Sequence, residues 1–211
     1  MLGVDGRRQV CSRSAWETFS PPPKSCWGNT VGNWSETARR IRVPSGFVFA
    51  VVYWWLAHPN RSSWLWGALL ILAGLGIRAF ASGYLQKNEE LATAGPYAYT
   101  RNPLYLGSVV MAVGFAIAAR SLWIAGILLV VFVAIYMPVI RAEESYLSER
   151  FPEFLEYRSR VPRLLPRLKG YVRNPAAFSW ALYLKHREYN ATLGSLAMLG
   201  ALLAKLLWAS S

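Results

Sequence analysis

Charge, cysteine and histidine are all scarce in this 211-residue chain, and each scarcity excludes something. Charged residues make up 16% of the sequence and hydrophobic ones 54%. Soluble domains carry about a quarter charged residues, and disordered chains have far fewer apolar ones. Disorder, coiled coil, collagen-like repeat and disulfide scaffold are therefore excluded for the bulk of the chain. The two cysteines, Cys11 and Cys26, match neither a zinc spacing nor a CxxC pair, and two cannot make a disulfide framework. His58 and His186 lie far apart with no Cys or carboxylate at ligand spacing, so no metal is expected. Conventional catalytic signatures are missing as well. There is no P-loop lysine motif and no HExxH, and Gly74-Leu75-Gly76 sits in an apolar helix without a preceding strand, unlike a dinucleotide fingerprint. No Ser/His/Asp set is visible.

Basic residues are abundant: 23 Lys and Arg against 11 Asp and Glu, a formal charge of +12. In a soluble protein this would point to nucleic acid. Beside long apolar runs, it is the pattern that anionic cytoplasmic leaflets select, so the expected partner is a membrane and not a nucleic acid. Residues 1–42 form a separate zone, with Pro21-Pro22-Pro23, many Ser and Gly, and seven basic residues. No apolar core of a secretory signal follows Arg7-Arg8, and the zone reads as a basic, mostly disordered arm. Residues 43–211 read as one membrane-embedded domain. Its apolar runs are Ser45–Ala57, Trp64–Leu85, Leu104–Ala119, Leu122–Ile140 and Ala191–Trp208. A spanning helix needs about 20 residues. The second and fourth runs qualify, the third is marginal, and the last can span or lie on the surface. Arg78 and Lys205 are compatible with spans because long basic side chains snorkel.

The arm 1–42 has seven basic residues and segment 141–190 has ten, whereas the turns near 58–63 and at 120 have one each. By the positive-inside rule the N-terminus and segments 86–103 and 141–190 are cytoplasmic. The expected fold is thus an all-α integral membrane protein of four to five transmembrane helices, arranged as helical hairpins with a pocket on the cytoplasmic face. In a bacterium it would sit in the inner, cell membrane.

The carboxylates concentrate in those cytoplasmic segments: Glu89 and Glu90 before the third span, and Glu143, Glu144, Glu149, Glu153 and Glu156 after the fourth. The stretch Gly95 to Gly107 holds two X-Pro steps and two glycines, which predicts irregular backbone at the membrane surface. Such backbone is tolerated there only when buried in protein or lining a wet cavity. A cavity with exposed peptide groups, several Tyr faces and Arg101 suits a polar, nucleotide-like ligand; an ordinary interfacial loop with an aromatic belt is the plainer alternative. Glu143 and Glu144 point about 100° apart on a helix, so at most one faces a shared site. A carboxylate there can hold a cationic group such as an ammonium or sulfonium. Phe151, Phe154 and Tyr157 recur at helical spacing and lead into Val161-Pro162-Arg163-Leu164-Leu165-Pro166, an amphipathic helix followed by an extended, proline-anchored segment.

The two linkers, GPYAYTRNPLYLG (95–107) and EESYLSERFPEFLEYRSRVPRLLP (143–166), together resemble the signature of the membrane-integral methyltransferases. That superfamily includes isoprenylcysteine carboxyl methyltransferase and the phospholipid N-methyltransferases. The similarity covers roughly residues 84–170, taken as the cofactor-binding portion. It implies S-adenosylmethionine as cofactor and a lipidic or lipidated acceptor. Carried over residue by residue, Gly95, Pro96, Tyr97, Arg101, Asn102, Pro103, Tyr105, Leu106, Gly107, Glu143 and Glu144 would bind the cofactor. Asn102 stands where the isoprenylcysteine branch typically has His, which leaves the substrate branch open.

Methyl transfer from a sulfonium depends mainly on positioning and exclusion of water. A carboxylate acceptor needs no general base, and Arg141 or Arg158 could orient it. An amine acceptor must lose a proton, with Glu144 the candidate base. The expected catalytic residues are therefore Glu144, Arg141 and Arg158. A nicotinamide-dependent membrane reductase, and a non-catalytic scaffold or transporter, are the rival readings.

Overall fold

The computed structural model describes residues 49–85, 90–171 and 175–210; the arm 1–42 and Glu89 lie outside them. Among the described residues every regular element is helical. α1 (49–56) runs into the turn at His58-Pro59-Asn60. α2 (Arg61–Ser82) then starts on a reciprocal cap: the Asn60 side chain accepts from Ser63 N at 2.7 Å, and Ser63 Oγ accepts from Asn60 N at 3.0 Å. α3 (Pro103–Ala119) begins on a proline, whose missing N–H has no partner to lose at a helix start. It stops at Arg120, which turns left-handed at φ 50°.

The chain continues as a 29-residue helix, Leu122–Arg150. This is α4 (Leu122–Val131), a π-helical turn (Phe132–Tyr136) and α5 (Met137–Arg150). The π turn ends two residues before Pro138, which cannot donate to the carbonyl four residues back and whose ring crowds it. α6 (Phe154–Arg160) is separated from α5 by Phe151-Pro152-Glu153. The helical spacing of Phe151, Phe154 and Tyr157 therefore does not make one continuous helix, because Pro152 disfavours helix at the residue before it. α7 (Trp180–Lys185) and α8 (Tyr189–Ser210) follow.

Among the described residues three helices are long and apolar enough to cross a membrane: α2, the α4–α5 helix and α8 over Tyr189–Trp208. α3 is apolar but shorter, at 17 residues, a rise of about 26 Å. The short turns meet at one end of the bundle, where His58 N donates to Ala119 O at 2.8 Å. The longer connections gather at the other end, where Ser179 N donates to Gly83 O at 3.0 Å and Arg78 on α2 forks onto Glu188 at 2.7–3.0 Å. Arg78 also donates to Ser108 Oγ on α3 at 2.5 Å. Lys205 on α8 donates to Trp54 O and Ala57 O, the closing carbonyls of α1, at 2.5 and 2.7 Å. Both cations foreseen as snorkelling thus find partners within the protein.

What fixes α3 against α2 is a pair of glycines on each helix, seven residues apart. A Cβ at Gly67 would stand 2.6 Å from Gly114 O, and one at Gly74 would stand 2.6 Å from Gly107 O. The reverse additions fare no better, at 2.8 Å for Gly114 against Gly67 O and 2.7 Å for Gly107 against Gly74 O. In lipid there is no apolar driving force between helices, so close backbone approach through small residues supplies the packing. Ala68, Ile71, Leu75 and Leu199 fill the interior between α2 and α8.

Gly74→Val is expected to destabilise the protein by about 1–3 kcal/mol or more through overpacking. Gly76→Ala, where a Cβ meets nothing within 4 Å, should change stability by less than about 1 kcal/mol. Thermal unfolding in detergent, followed by helical circular dichroism, checks the pair; equal losses would refute the contact.

Candidate functional site

The site is built where two irregular segments run side by side at the linker end of the bundle. The first holds a 3-10 turn, Gly95–Ala98, and continues to Asn102. Gly95 sits at φ +57° with the Tyr84 ring 2.8 Å from where its Cβ would be, so both conformation and space require glycine. The second starts where α6 ends. Val161 precedes Pro162 and is extended at ψ 126°, as the proline ring demands.

Backbone bonds then stitch the segments together. Arg101 N donates to Pro162 O at 2.9 Å, Arg167 N to Tyr99 O at 3.0 Å, and Tyr171 N to Ala98 O at 2.9 Å. The Thr100 hydroxyl donates to Arg163 O and Leu164 O at 3.2 and 3.1 Å. Beneath, Leu91, Phe154, Tyr157 and Val161 form a small core, from which the Tyr157 hydroxyl donates to Tyr97 O at 2.6 Å.

Into this frame α5 delivers Glu144, whose side chain is 6% exposed. Arg163 grips it as a fork, Nε at 3.1 Å from each oxygen and Nη2 at 2.7 Å from Oε2. Asn102 Nδ2 reaches Glu144 Oε1 at 3.5 Å and Arg163 O at 3.1 Å. Arg101 Nη1 stands 3.3 Å from Glu144 Oε1, an ion pair without hydrogen-bond alignment. Arg101 Nε and Nη1 are both buried and have no hydrogen-bond partner among the described residues. The Arg101 side chain is only 9% exposed. Burial lowers its affinity for a proton and the charges of Arg163 and Arg158 add to this, while Glu144 opposes both. The hydrogen bonds that Arg163 donates to Glu144 have the reverse effect on Arg163, whose pKa they raise. Two guanidiniums thus converge on one carboxylate, a set with positive charge and donors to spare.

Of the residues expected from the sequence, the fold brings Arg101, Asn102 and Glu144 into direct contact. Tyr97 is buried, and burial raises its phenol pKa far above the usual range. Pro96 is half-buried beside it, and Pro103 is buried at the first turn of α3. Tyr105 meets Tyr136 edge to face at 5.8 Å, and Tyr136 stacks on Phe132 at 5.7 Å, so the π turn presents aromatic rings to the start of α3. Leu106 is half-buried. Gly107 faces Gly74 and Arg78 across the α2–α3 contact. Glu143, Arg141 and Arg158 are exposed, Arg158 near enough to act on Arg101.

Sequence reasoning missed Arg163. Its signal was a basic residue set between Pro162 and Pro166, where a fixed backbone aims it inward. It also missed Arg78 and Glu188 as a pair, since 110 positions separate them.

Comparison with known proteins agrees with the resemblance carried by the two linkers. The phospholipid methyltransferase family matches residues 65–153, which include Arg101, Asn102 and Glu144 and stop short of Arg163. The chain is 39% identical over 114 residues to the nickel-cobalt-cadmium resistance protein NccN of Alcaligenes xylosoxydans xylosoxydans, covering 50% of this chain and 54% of that protein. It is 36% identical over 117 residues to the cobalt-zinc-cadmium resistance protein CzcN of Cupriavidus metallidurans, covering 52% of this chain and 54% of that one. The chain thus spans about half the length of these curated relatives. No solved structure matches it significantly.

The buried phenols set a pH limit. The folded pKa of Tyr157 is raised above the ordinary 10.0 by burial. The unfolded chain therefore releases this proton first, and the stability tied to the neutral phenol is complete below about pH 10 and lost above it. Unfolding midpoints should stay flat up to about pH 9 and fall beyond pH 10. Tyr157→Phe, which also removes a buried hydrogen bond and costs about 1 kcal/mol, should fall less steeply; a parallel fall would contradict the assignment.

Proposed function

We propose that this protein transfers a methyl group from S-adenosylmethionine to a lipidic or prenylated acceptor at the membrane surface. The observation that carries the reading is the buried set Arg101, Asn102 and Glu144, built from the two linkers that the family pattern joins. A zwitterionic amino-acid end needs both a cation and an anion at close quarters. Arg101 has two buried N–H groups unused and fits the carboxylate, while Glu144 fits the ammonium. Tyr105, Tyr136 and the peptide groups of 95–102 supply ring faces and polar backbone for the nucleoside. When bound, the cofactor contributes an already activated methyl electrophile. The chain's own residues hold both partners in line and keep water out.

Small side chains on α3 and α4, among them Ala112, Ala116 and Ala125, leave an apolar crevice of about 540 Å³ between those helices. It begins at Val109, one turn beyond Tyr105, and supports entry of an acceptor's tail from the bilayer. The acceptor's head is the finer question. Arg158 and Arg141, exposed and not used to hold Glu144 or the cofactor's carboxylate, favour a carboxylate acceptor, methylated as in isoprenylcysteine carboxyl methyltransferases. Arg158, with Arg141 about one turn before Glu144 on α5, would steer it. The family match itself favours the alternative, N-methylation of a phospholipid amine such as ethanolamine, for which Glu144 would take the proton. The relatives are named for metal resistance, and among the described residues no three His, Cys, Asp or Glu side chains come together. The basic-residue asymmetry supports a cytoplasmic placement of the site.

Membranes containing the protein are expected to incorporate label from methyl-labelled donor, and Glu144→Gln should lower that by at least about a hundredfold, roughly 2.7 kcal/mol. Base-labile label identifies a carboxylate acceptor, and stable label in extracted lipid identifies an amine. No incorporation above membranes lacking the protein, across prenylated peptide and phospholipid acceptors, would contradict the reading.

A further inference from the structure

The segment that carries Arg163 has a second face. Between Tyr157 and Gly170 there are five basic residues and no acidic one. Arg163 turns inward to Glu144, and Arg160 pairs with Glu156. Leu165 and Leu168 turn outward, 79% and 101% exposed, with Lys169 exposed beside them. Arg167 is half-buried, its guanidinium donating to Arg160 O. Two fully presented leucines in a polar loop have no interior to bury in.

Their depth gives them one. Pro162 O accepts from Arg101, two residues before the apolar helix α3 begins. Arg163 holds Glu144, four residues beyond the last buried apolar residue of α5, Ile140, a rise of about 6 Å. A headgroup layer is about 5–8 Å thick on each side of the hydrocarbon. The strap therefore lies within that layer, at the same end as α7, which presents Trp180 at 70% and Leu184 at 59% exposure next to Lys185.

We propose that the strap 162–170 docks on the anionic leaflet at the site end of the bundle. Leu165 and Leu168 enter the acyl boundary, and Arg167 and Lys169 bind anionic headgroups. Because this backbone also aims Arg163 at Glu144, lipid contact and the polar cluster share one rigid segment. The inference is independent of which reaction the cluster performs.

Nitroxide labels test it on the full chain with Cys11 and Cys26 replaced by Ser. One label is placed at Leu168→Cys and one at Ser159→Cys, which is exposed on α6, in nanodiscs of phosphatidylcholine with or without phosphatidylglycerol. The expected result is that position 168 in anionic discs is several-fold more accessible to oxygen than to a water-soluble nickel chelate, with position 159 the reverse. Arg167→Gln with Lys169→Gln should shrink the difference between the two lipids. Position 168 reached by the nickel chelate as readily as position 159 would overturn the proposal, as would exclusion of both probes, which would mean a protein cover. Equal immersion in both lipids would overturn the anionic component.

Discussion

A carboxylate taken out of water near the edge of a bilayer is tolerated only if cations are brought to it. Glu144 is that carboxylate, and much of the linker end of this protein is arranged around meeting its demand. α5 carries it; Arg163 arrives from the segment after α6, and Arg101 and Asn102 from the segment before α3. The backbone bonds between residues 98–101 and 162–171 keep those two segments side by side. The pairing is lopsided, one carboxylate against two guanidiniums, and the surplus is concentrated on Arg101. A buried donor without a partner normally costs about 1–3 kcal/mol. On the reading proposed above, the charge of a bound ligand would relieve that cost.

The spans themselves are held by contacts of a different kind. α2 and α3 approach until glycine backbones touch, and that closeness lets Arg78 reach Ser108 and Glu188 beside the site. At the other helix of the site, Pro138 forces a π turn, and the turn swings Tyr136 and Phe132 toward Tyr105. Helix packing and the candidate site are linked through particular residues: Gly107 at the α2–α3 contact is two positions from Tyr105 on the same helix.

Much of this was legible in the sequence for a physical reason. Apolar runs of spanning length, the turn near residues 58–63 and the proline at 103 act locally, so most of the helices can be read along the chain; the break at Pro152 was hidden by the helical spacing of the aromatics around it. Arg101 and Glu144 were legible because they lie in segments whose joint pattern is informative. Arg163 was not, since its role depends on Pro162 turning the chain back across Thr100, a contact 63 positions apart. The glycine pairs were equally hidden. Gly74 looked like a failed nucleotide motif, and nothing in one helix announces that another will press against it. The count of spans also outran what pattern alone supports, because a 17-residue α3 and the α1 stretch sit at the limit where length stops deciding.

The most direct test of the account is titration of S-adenosylhomocysteine into the purified protein. One site is expected, with affinity falling at least tenfold, about 1.4 kcal/mol, in both Arg101→Gln and Glu144→Gln proteins that retain the parent's helical signal. Folded variants that bind the nucleoside as tightly as the parent would contradict the claim that this carboxylate and this guanidinium form its site.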